Sequence, residues 1–342
     1  MFIIKAAYVV VRLFLSAVVL SPLANAATSQ KCESVRPESS TDQQALIRSS
    51  GRHCVQADFN QGWLYVLSEG GRRGPHDTKL VEIWASQVDL DLKNHTLRTS
   101  TYIDGIVGPP NTFDPRTLAR LSHEQVHRLF VHDGTIRLHN SDGGSSGIGV
   151  ISPLEISYIH NTHTGRTPPS SFAKVDFVLE NLTINTGNAA AVLMGDGIVV
   201  RNCIIEVEGP NALVIYGPNA IVENNRIVYR YVPVTVRGLA EPTPERAPEV
   251  RAAIYLRMAN GAVIRGNTIE VRGAAGDVSA VALIDSTSVH IENNQLSRTA
   301  PVATLLGRSS AHVRRNRSIS GPFNPATLIP DSDLNSESSQ AK

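Results

Sequence analysis

One six-residue pattern returns along most of this chain, and it limits the fold more than any other feature. Val222-Glu223-Asn224-Asn225-Arg226-Ile227 reads apolar, charged, turn-former, turn-former, spacer, apolar. Leu92–Leu97, Val131–Ile136, Leu179–Ile184, Val200–Ile205, Ile264–Ile269, Ile291–Leu296 and a degraded Val313–Ser318 share the same outline, making eight copies. Measured between the third residues, the steps are 39, 48, 21, 22, 42, 27 and 22 residues. The period is about 22 residues, lengthened by three insertions, and a fixed period of that size marks a solenoid.

Each full period holds more than the turn. Ala212–Tyr216 leads through Gly217-Pro218-Asn219 to Ala220–Glu223, then Asn224-Asn225, then Arg226–Val228. The segments around Ala253–Arg257 and Ala280–Ile284 repeat that order. Short β-branched runs bounded by Gly, Asn, Ser or Pro read as strands, and runs of this length are too short for helices. Three short strands per period, stacked on like neighbours, predict an all-β parallel β-helix of about eight coils in which each coil buries its apolar side only against the next. Asn at the corner suits a left-handed turn, and stacked Asn side chains can bond along the axis. The corner asparagines are therefore read as structural.

The N-terminus reads as an export signal over residues 1–26. Lys5 precedes an apolar run from Ala6 to Leu20, broken by Arg12, and Ala24-Asn25-Ala26 forms a small-x-small cleavage site. No second long apolar run occurs, so no transmembrane segment is expected after its removal, and the expected location is periplasmic or secreted. Without Lys5 and Arg12 the chain carries 30 basic and 31 acidic residues, a balance that speaks against a nucleic-acid partner. Export permits disulfides. Cys32 and Cys54 flank Thr41–Ser49, read as a short capping helix, and are expected to pair within an N-terminal cap over residues 27–61. Cys203 stands at a corner and is expected to be a buried free thiol. The three cysteines show neither CxxC nor zinc spacing, so no metal and no cofactor is expected.

Gly62–Leu67 reads as an opening strand, succeeded by a polar loop and by Val88-Asp89-Leu90-Asp91-Leu92-Lys93-Asn94-His95-Thr96-Leu97. Together with His132-Asp133-Gly134-Thr135-Ile136 and the Glu-Asn-Asn corners, these motifs resemble right-handed parallel β-helix proteins of the pectin-lyase-like superfamily, and more narrowly the carbohydrate-binding and sugar-hydrolase type repeats of periplasmic members. The likeness covers about Gly62 to Ile319. It implies a β-helix domain over 62–321, and the Ser-, Asp-, Asn- and Pro-rich composition of residues 322–342 reads as a flexible C-terminal tail. It implies fold rather than activity, because the superfamily spans lyases, hydrolases, epimerases, esterases and non-catalytic proteins.

Two long insertions interrupt coils two and three, after Tyr102–Val107 and after Gly147–Val150. They are expected to meet in space, since consecutive coils set equivalent turns side by side. Six of the eleven histidines (His123, His127, His132, His139, His160 and His163) fall within these two coils, along with Asp104, Asp114, Arg116, Glu124 and Arg166. Imidazoles, carboxylates and guanidiniums are what acid/base work on a uronic-acid polymer needs. Asp104 and Asp114 are the acid/base candidates and His123 a second proton carrier, with Arg116, His160, His163 and Arg166 contacting substrate. A third insertion, Val232–Val250, reads as a solvated flap.

The superfamily's known activities match only in part. Pectate lyases place calcium-binding Asp residues on the outer face of the first strand. Here the positions read as outward are Ala191, Leu193, Leu213, Ile215, Tyr255, Arg257, Ala282, Ile284, Thr304 and Leu306, which cannot hold calcium. Epimerases of this fold carry Asp-Pro-His, and Asp114-Pro115-Arg116 departs from it at the third position. The reading is an exported β-helix that binds an acidic polysaccharide, with lyase, epimerase or hydrolase action left open. The alternative is a non-catalytic scaffold that takes a protein partner on the apolar first-strand face.

Overall fold

A computed structural model of the protein describes residues 31–37, 44–61, 79–99, 104–108, 127–138, 147–150, 172–209, 211–230, 250–272, 278–298, 300–319 and 326–336. Two parallel ladders account for most of them. The first sheet stacks Ala45–Ile47, Lys79–Ile83, Asp104–Val107, Ile148–Val150, Ala191–Met194, Asn211–Tyr216, Arg251–Arg257, Val278–Ile284 and Ala303–Leu306 in chain order. The second carries the remaining strands, two per coil on either side of the repeated corner, as in Ile221–Glu223 and then Arg226–Arg230. The protein is therefore an all-β parallel solenoid, as the repeat requires. Among the described residues, no helix is long and apolar enough to cross a membrane.

The register turns the repeat into columns. Leu90, Val131, Leu179, Val200, Val222, Ile264, Ile291 and Val313 lie one above another, and all are buried. Leu97, Ile136, Ile184, Ile205, Ile227, Ile269 and Leu296 form a second buried column. Each such side chain contributes about 1.5–3 kcal/mol on burial, which the stacked strands collect without any helix.

The corner between these columns is made by one left-handed residue per coil. Asn94, Asp133, Asn181, Asn202, Asn224, Gly266, Asn293 and Arg315 all have φ between 52° and 66°. The residue after it points inward. In the C-terminal coils that residue is Asn225, Asn267, Asn294 or Asn316, each no more than 2% exposed. The Asn225 Nδ2 donates to Asn267 Oδ1 at 3.0 Å and to the Val200 carbonyl at 2.9 Å, while its backbone N–H donates to the same Asn267 oxygen at 2.9 Å. Asn267 and Asn294 repeat this geometry toward the next coil. Cys203 stands at the head of the ladder, its backbone N–H donating to Asn225 Oδ1 at 2.9 Å.

The first corner departs from the pattern. Asp91, not Lys93, pairs with His132, while Thr96 pairs with Thr135, so the first turn holds two extra residues. They carry Leu92 into the corner, and a Cβ at position 134 would lie 2.2 Å from the Leu92 Cβ. Gly134 is thus required by close approach, which explains its place in the His-Asp-Gly motif.

Several expectations need correction. Ala45–Ile47, within the stretch expected to be a capping helix, is a strand, with Ala45 and Ile47 buried and paired with Val81 and Ile83. Alternate burial overrides the helical composition of that segment. Cys32 and Cys54 are joined as expected, with Cα atoms 5.7 Å apart, between strands that already pair in parallel. The segment expected to be a flexible tail includes Ser332–Asn335, which runs antiparallel along Ser310–Val313 and gives hydrogen-bond partners to the last coil. On the first sheet, Ala191, Leu193, Leu213 and Ile215 face the core rather than outward. A one-residue slip exchanges the two faces of a strand, and the outward columns are Val192, Val214 and Tyr255, and beside them Met194, Tyr216 and Arg257, of which Met194 is covered and buried. The strip stays largely apolar after the exchange. Residues 1–26, the strand at 62–67, the helix at 117–121 and the flap at 232–249 lie outside the described residues, as do the residues on either side of the boundaries at 26/27 and 321/322.

The two asparagines of one corner should respond differently to mutation. Asn267→Ala strands buried donors and acceptors in two neighbouring coils and should cost about 2–4 kcal/mol in denaturant unfolding. Asn224→Gly keeps the left-handed turn and should cost only a few tenths of that, roughly 0.5 kcal/mol or less.

Candidate functional site

The two insertions singled out above leave the first sheet from neighbouring strands. Ile106 pairs with Ile148, Val107 pairs with Gly149, and the Gly108 N–H donates to the Gly149 carbonyl at 2.9 Å. Asp104 opens the earlier of these strands and is partly exposed. Its register partner on the preceding coil is Lys79. Lys79 Nζ lies 2.9 Å from Glu82 Oε1, and the two residues are only 8% and 9% exposed. A buried ion pair adds little to stability, because desolvating both charges is costly. Here its lysine is the register partner of Asp104 and its glutamate that of Val107. Two residues beyond Glu82, Trp84 is 41% exposed and offers an aromatic face. Glu82, Val107 and Gly149 occupy one outward column, and a Cβ at position 149 would meet nothing within 4 Å, which leaves the sheet low at that point.

Asp104 is thus the one predicted site residue with a described position. Asp114, Arg116, His123, His160, His163 and Arg166 lie outside the described residues. Sequence reasoning passed over Lys79 and Glu82, which sit in Lys79-Leu80-Val81-Glu82-Ile83 and give no motif signal beyond two charges inside an apolar run.

A second polar constellation decorates the outer face beside the first corners. His132 Nε2 lies 2.8 Å from Asp89 Oδ1, and its Nδ1 lies 2.7 Å from Asp133 Oδ2. Phe130 stacks on the ring with centroids 4.2 Å apart. Asp91 is held by Arg52 at 3.0 Å and Lys93 at 2.9 Å. Burial works against a charged His132, but hydrogen bonds to Asp133 and Asp89 and the attraction of Asp91 outweigh it, so the imidazole pKa is raised. Burial likewise pushes Asp91 up, and Lys93, Arg52 and His132 more than reverse it, so its pKa is lowered. One ligand atom from each of Asp91, His132 and Asp133 falls within 4.8 Å of the others, the spacing of a metal site. Both ring nitrogens and the Asp91 carboxylate are already engaged, and Arg52, Lys93 and protonated His132 balance Asp89, Asp91 and Asp133. The group behaves as a closed ion-pair network.

That network begins a longer pattern. From Asp91 the outward column continues through His132, Glu180, Arg201, Glu223, Arg265, Glu292 and Arg314, alternating in sign at each coil. Arg201 meets Glu180 at 2.9 Å and Arg265 meets Glu223 at 2.7 Å. From Val131–Ile136 onward, the second position of the corner motif spells this alternation in the sequence, where it was read only as charged or polar.

The family comparison can be set against this geometry. A family model described as right-handed beta helix region matches residues 169–332. That stretch is a right-handed β-helix. No curated protein and no solved structure matches the chain. Every predicted site residue, together with Lys79, Glu82 and the His132 network, precedes the matched stretch, so the family match covers the regular coils and leaves the candidate chemistry to the segment before them.

Cys203 is buried, and desolvation pushes its thiol up to about 11. A thiol-directed reagent at neutral pH should leave it unmodified in the folded protein and label it after denaturation. The raised His132 pKa has a stated sign. Its stabilising contribution is fully present below the unfolded value, about 6.5, and is lost as pH rises through the higher folded value. The melting-temperature gap between wild type and His132→Gln should therefore be largest near about pH 5.5 and shrink above neutrality.

Proposed function

We propose that the protein acts on acidic polysaccharides outside the cytoplasm, binding the chain on the outer face of its first sheet where the coil-two and coil-three insertions leave it. The observation that supports this most is the buried Lys79–Glu82 pair in register with Asp104, at the place where the two insertions depart from paired strands. A uronate needs its carboxylate neutralised before the neighbouring C–H can lose a proton, and a cation with adjacent carboxylates can supply both functions. In this reading Asp104, Asp114 and His123 move protons, and Arg116, His160, His163 and Arg166 hold the sugar carboxylates. Elimination and epimerisation share that C–H abstraction and differ in the step after it, whereas hydrolysis would use one carboxyl group to protonate the leaving oxygen and a second as base or nucleophile. Trp84 would stack on a sugar ring at the margin of the site.

The scaffold reading draws on the outward apolar column of the first sheet, where Leu306 is 38% exposed and Val192, Val214 and Tyr255 are partly so.

The full chain should be incubated with alginate, pectate, glucuronan and glycosaminoglycans, tracking unsaturated products by ultraviolet absorbance and epimerisation by proton NMR. Asp104→Asn and Asp114→Asn should each lower turnover by roughly 100-fold or more without lowering the melting temperature. Neither turnover nor binding across the panel would refute the polysaccharide reading and leave the scaffold.

A further inference from the structure

On the face formed by the third strand of each coil, several arginines are paired with carboxylates. Arg226 lies 3.8 Å from Glu206, Arg230 lies 3.3 Å from Glu208, and Arg272 lies 2.7 Å from Glu270. Earlier on the same face, Arg98 and Arg137 are direct register partners on adjacent coils. Both are exposed, and neither has an ion-pair or hydrogen-bond partner among the described residues. Adjacent parallel strands lie about 4.8 Å apart, so two exposed arginines occupy neighbouring positions with no counter-charge among the described residues. Like charges directly opposite on a sheet are destabilising. Arg230 and Arg272 are also register partners, but each has a carboxylate within 3.3 Å, and among the described residues Arg98 and Arg137 have none.

The pair lines one end of a groove of about 480 Å³ that also takes in Thr183, Asn185, Ile204 and Glu206. Arg98, Arg137, Asn185 and Glu206 succeed one another in a single outward column. Thr183 and Ile204 are register neighbours in the column beside it. Ile204 is 45% exposed, an apolar surface at the groove's floor. Glu206 is engaged by Asn185 at 3.3 Å and by Arg226, which leaves the unbalanced charge of the groove positive.

We propose that this groove is an anion-binding subsite in which Arg98 and Arg137 together grip a carboxylate of an acidic glycan segment, with Thr183 and Asn185 meeting sugar hydroxyls and Ile204 meeting a ring's C–H face. The glycan class rests on the function proposed above, while the capture of an anion by the two arginines stands on this geometry alone. The site lies on a different sheet from Lys79, Glu82 and Asp104, so it serves to hold a chain rather than to react with it. Paired forks of N–H donors suit a carboxylate better than point charges would.

The test is calorimetric titration of the full chain with short oligogalacturonate, oligomannuronate and, separately, inorganic phosphate. Wild type should bind an oligouronate with an affinity that falls as salt is raised. R98Q/R137Q should weaken that binding by more than about tenfold, and R98K/R137K should lose part of it because the charge remains but the fork does not. Without ligand, Arg137→Gln should melt at or above the wild-type temperature, since a repulsion is removed. Unchanged affinity in R98Q/R137Q, phosphate binding as tight as oligouronate, or no uronate binding by wild type would overturn the subsite, as would a lowered melting temperature in ligand-free Arg137→Gln. Groove binding without any turnover would count against the catalytic reading alone.

Discussion

The structure depends on a backbone that can turn sharply at the corners of each coil while keeping its hydrogen bonds to the coils on either side. A parallel stack allows no drift, because a turn that displaced one coil would break the ladders above and below it. One left-handed residue at each corner meets that demand, and Asn, Asp or Gly occupies it at every copy but Arg315. The inward asparagines then act on the consequence of turning. A corner exposes backbone groups to the interior, and a buried unsatisfied group is costly. Each Asn side chain spans the gap between coils and leaves none of its own groups unpaired within the ladder.

The same register that aligns the core also fixes the surface. Once the interior columns are set, every outward position is repeated along the axis at one strand spacing, so charge must be arranged along the stack as well as around it. The alternating column from Asp91 to Arg314 is one outcome, and the arginine pair at 98 and 137, in a separate column, is another. Early coils break the regularity in two ways. They carry the insertions, and they carry the buried or tightly linked charges, Lys79 with Glu82 and His132 with three carboxylates. The later coils carry the asparagine ladder and the regular family repeat.

The fold was legible because its signal is periodic. The corner motif located the left-handed residues and the inward asparagines without any structure. It gave the insertions their places too, since Ile106 does pair with Ile148 where they depart. What it misplaced was local. In short apolar runs such as Ala191-Val192-Leu193-Met194 both faces are hydrophobic, so alternation cannot assign them, and only the register with Ile254 and Leu256 decides. Ala45–Ile47 looked helical because three residues carry no usable period. The site was less legible for a different reason. Asp104 stood out inside a histidine-rich insertion pair, whereas Lys79 and Glu82 acquire meaning only from burial and from the coil above, and Arg98 and Arg137 only from adjacency across 39 residues.

A stack of identical units has no inherent last member. The exposed end of a parallel ladder is a template for another strand of the same direction, and a second molecule could supply one. Ser332–Asn335 occupies that place on Ser310–Val313 with its direction reversed, which breaks the parallel register there, while Ala303–Leu306 ends the first sheet with no further strand over it among the described residues. The serine at 336 completes the arrangement, its hydroxyl accepting from the Ser309 backbone as Ser309 does from Ser286. The strand Ser332–Asn335 is therefore a cover on the corner side of the last described coil, where the repeat itself offers no reason to stop.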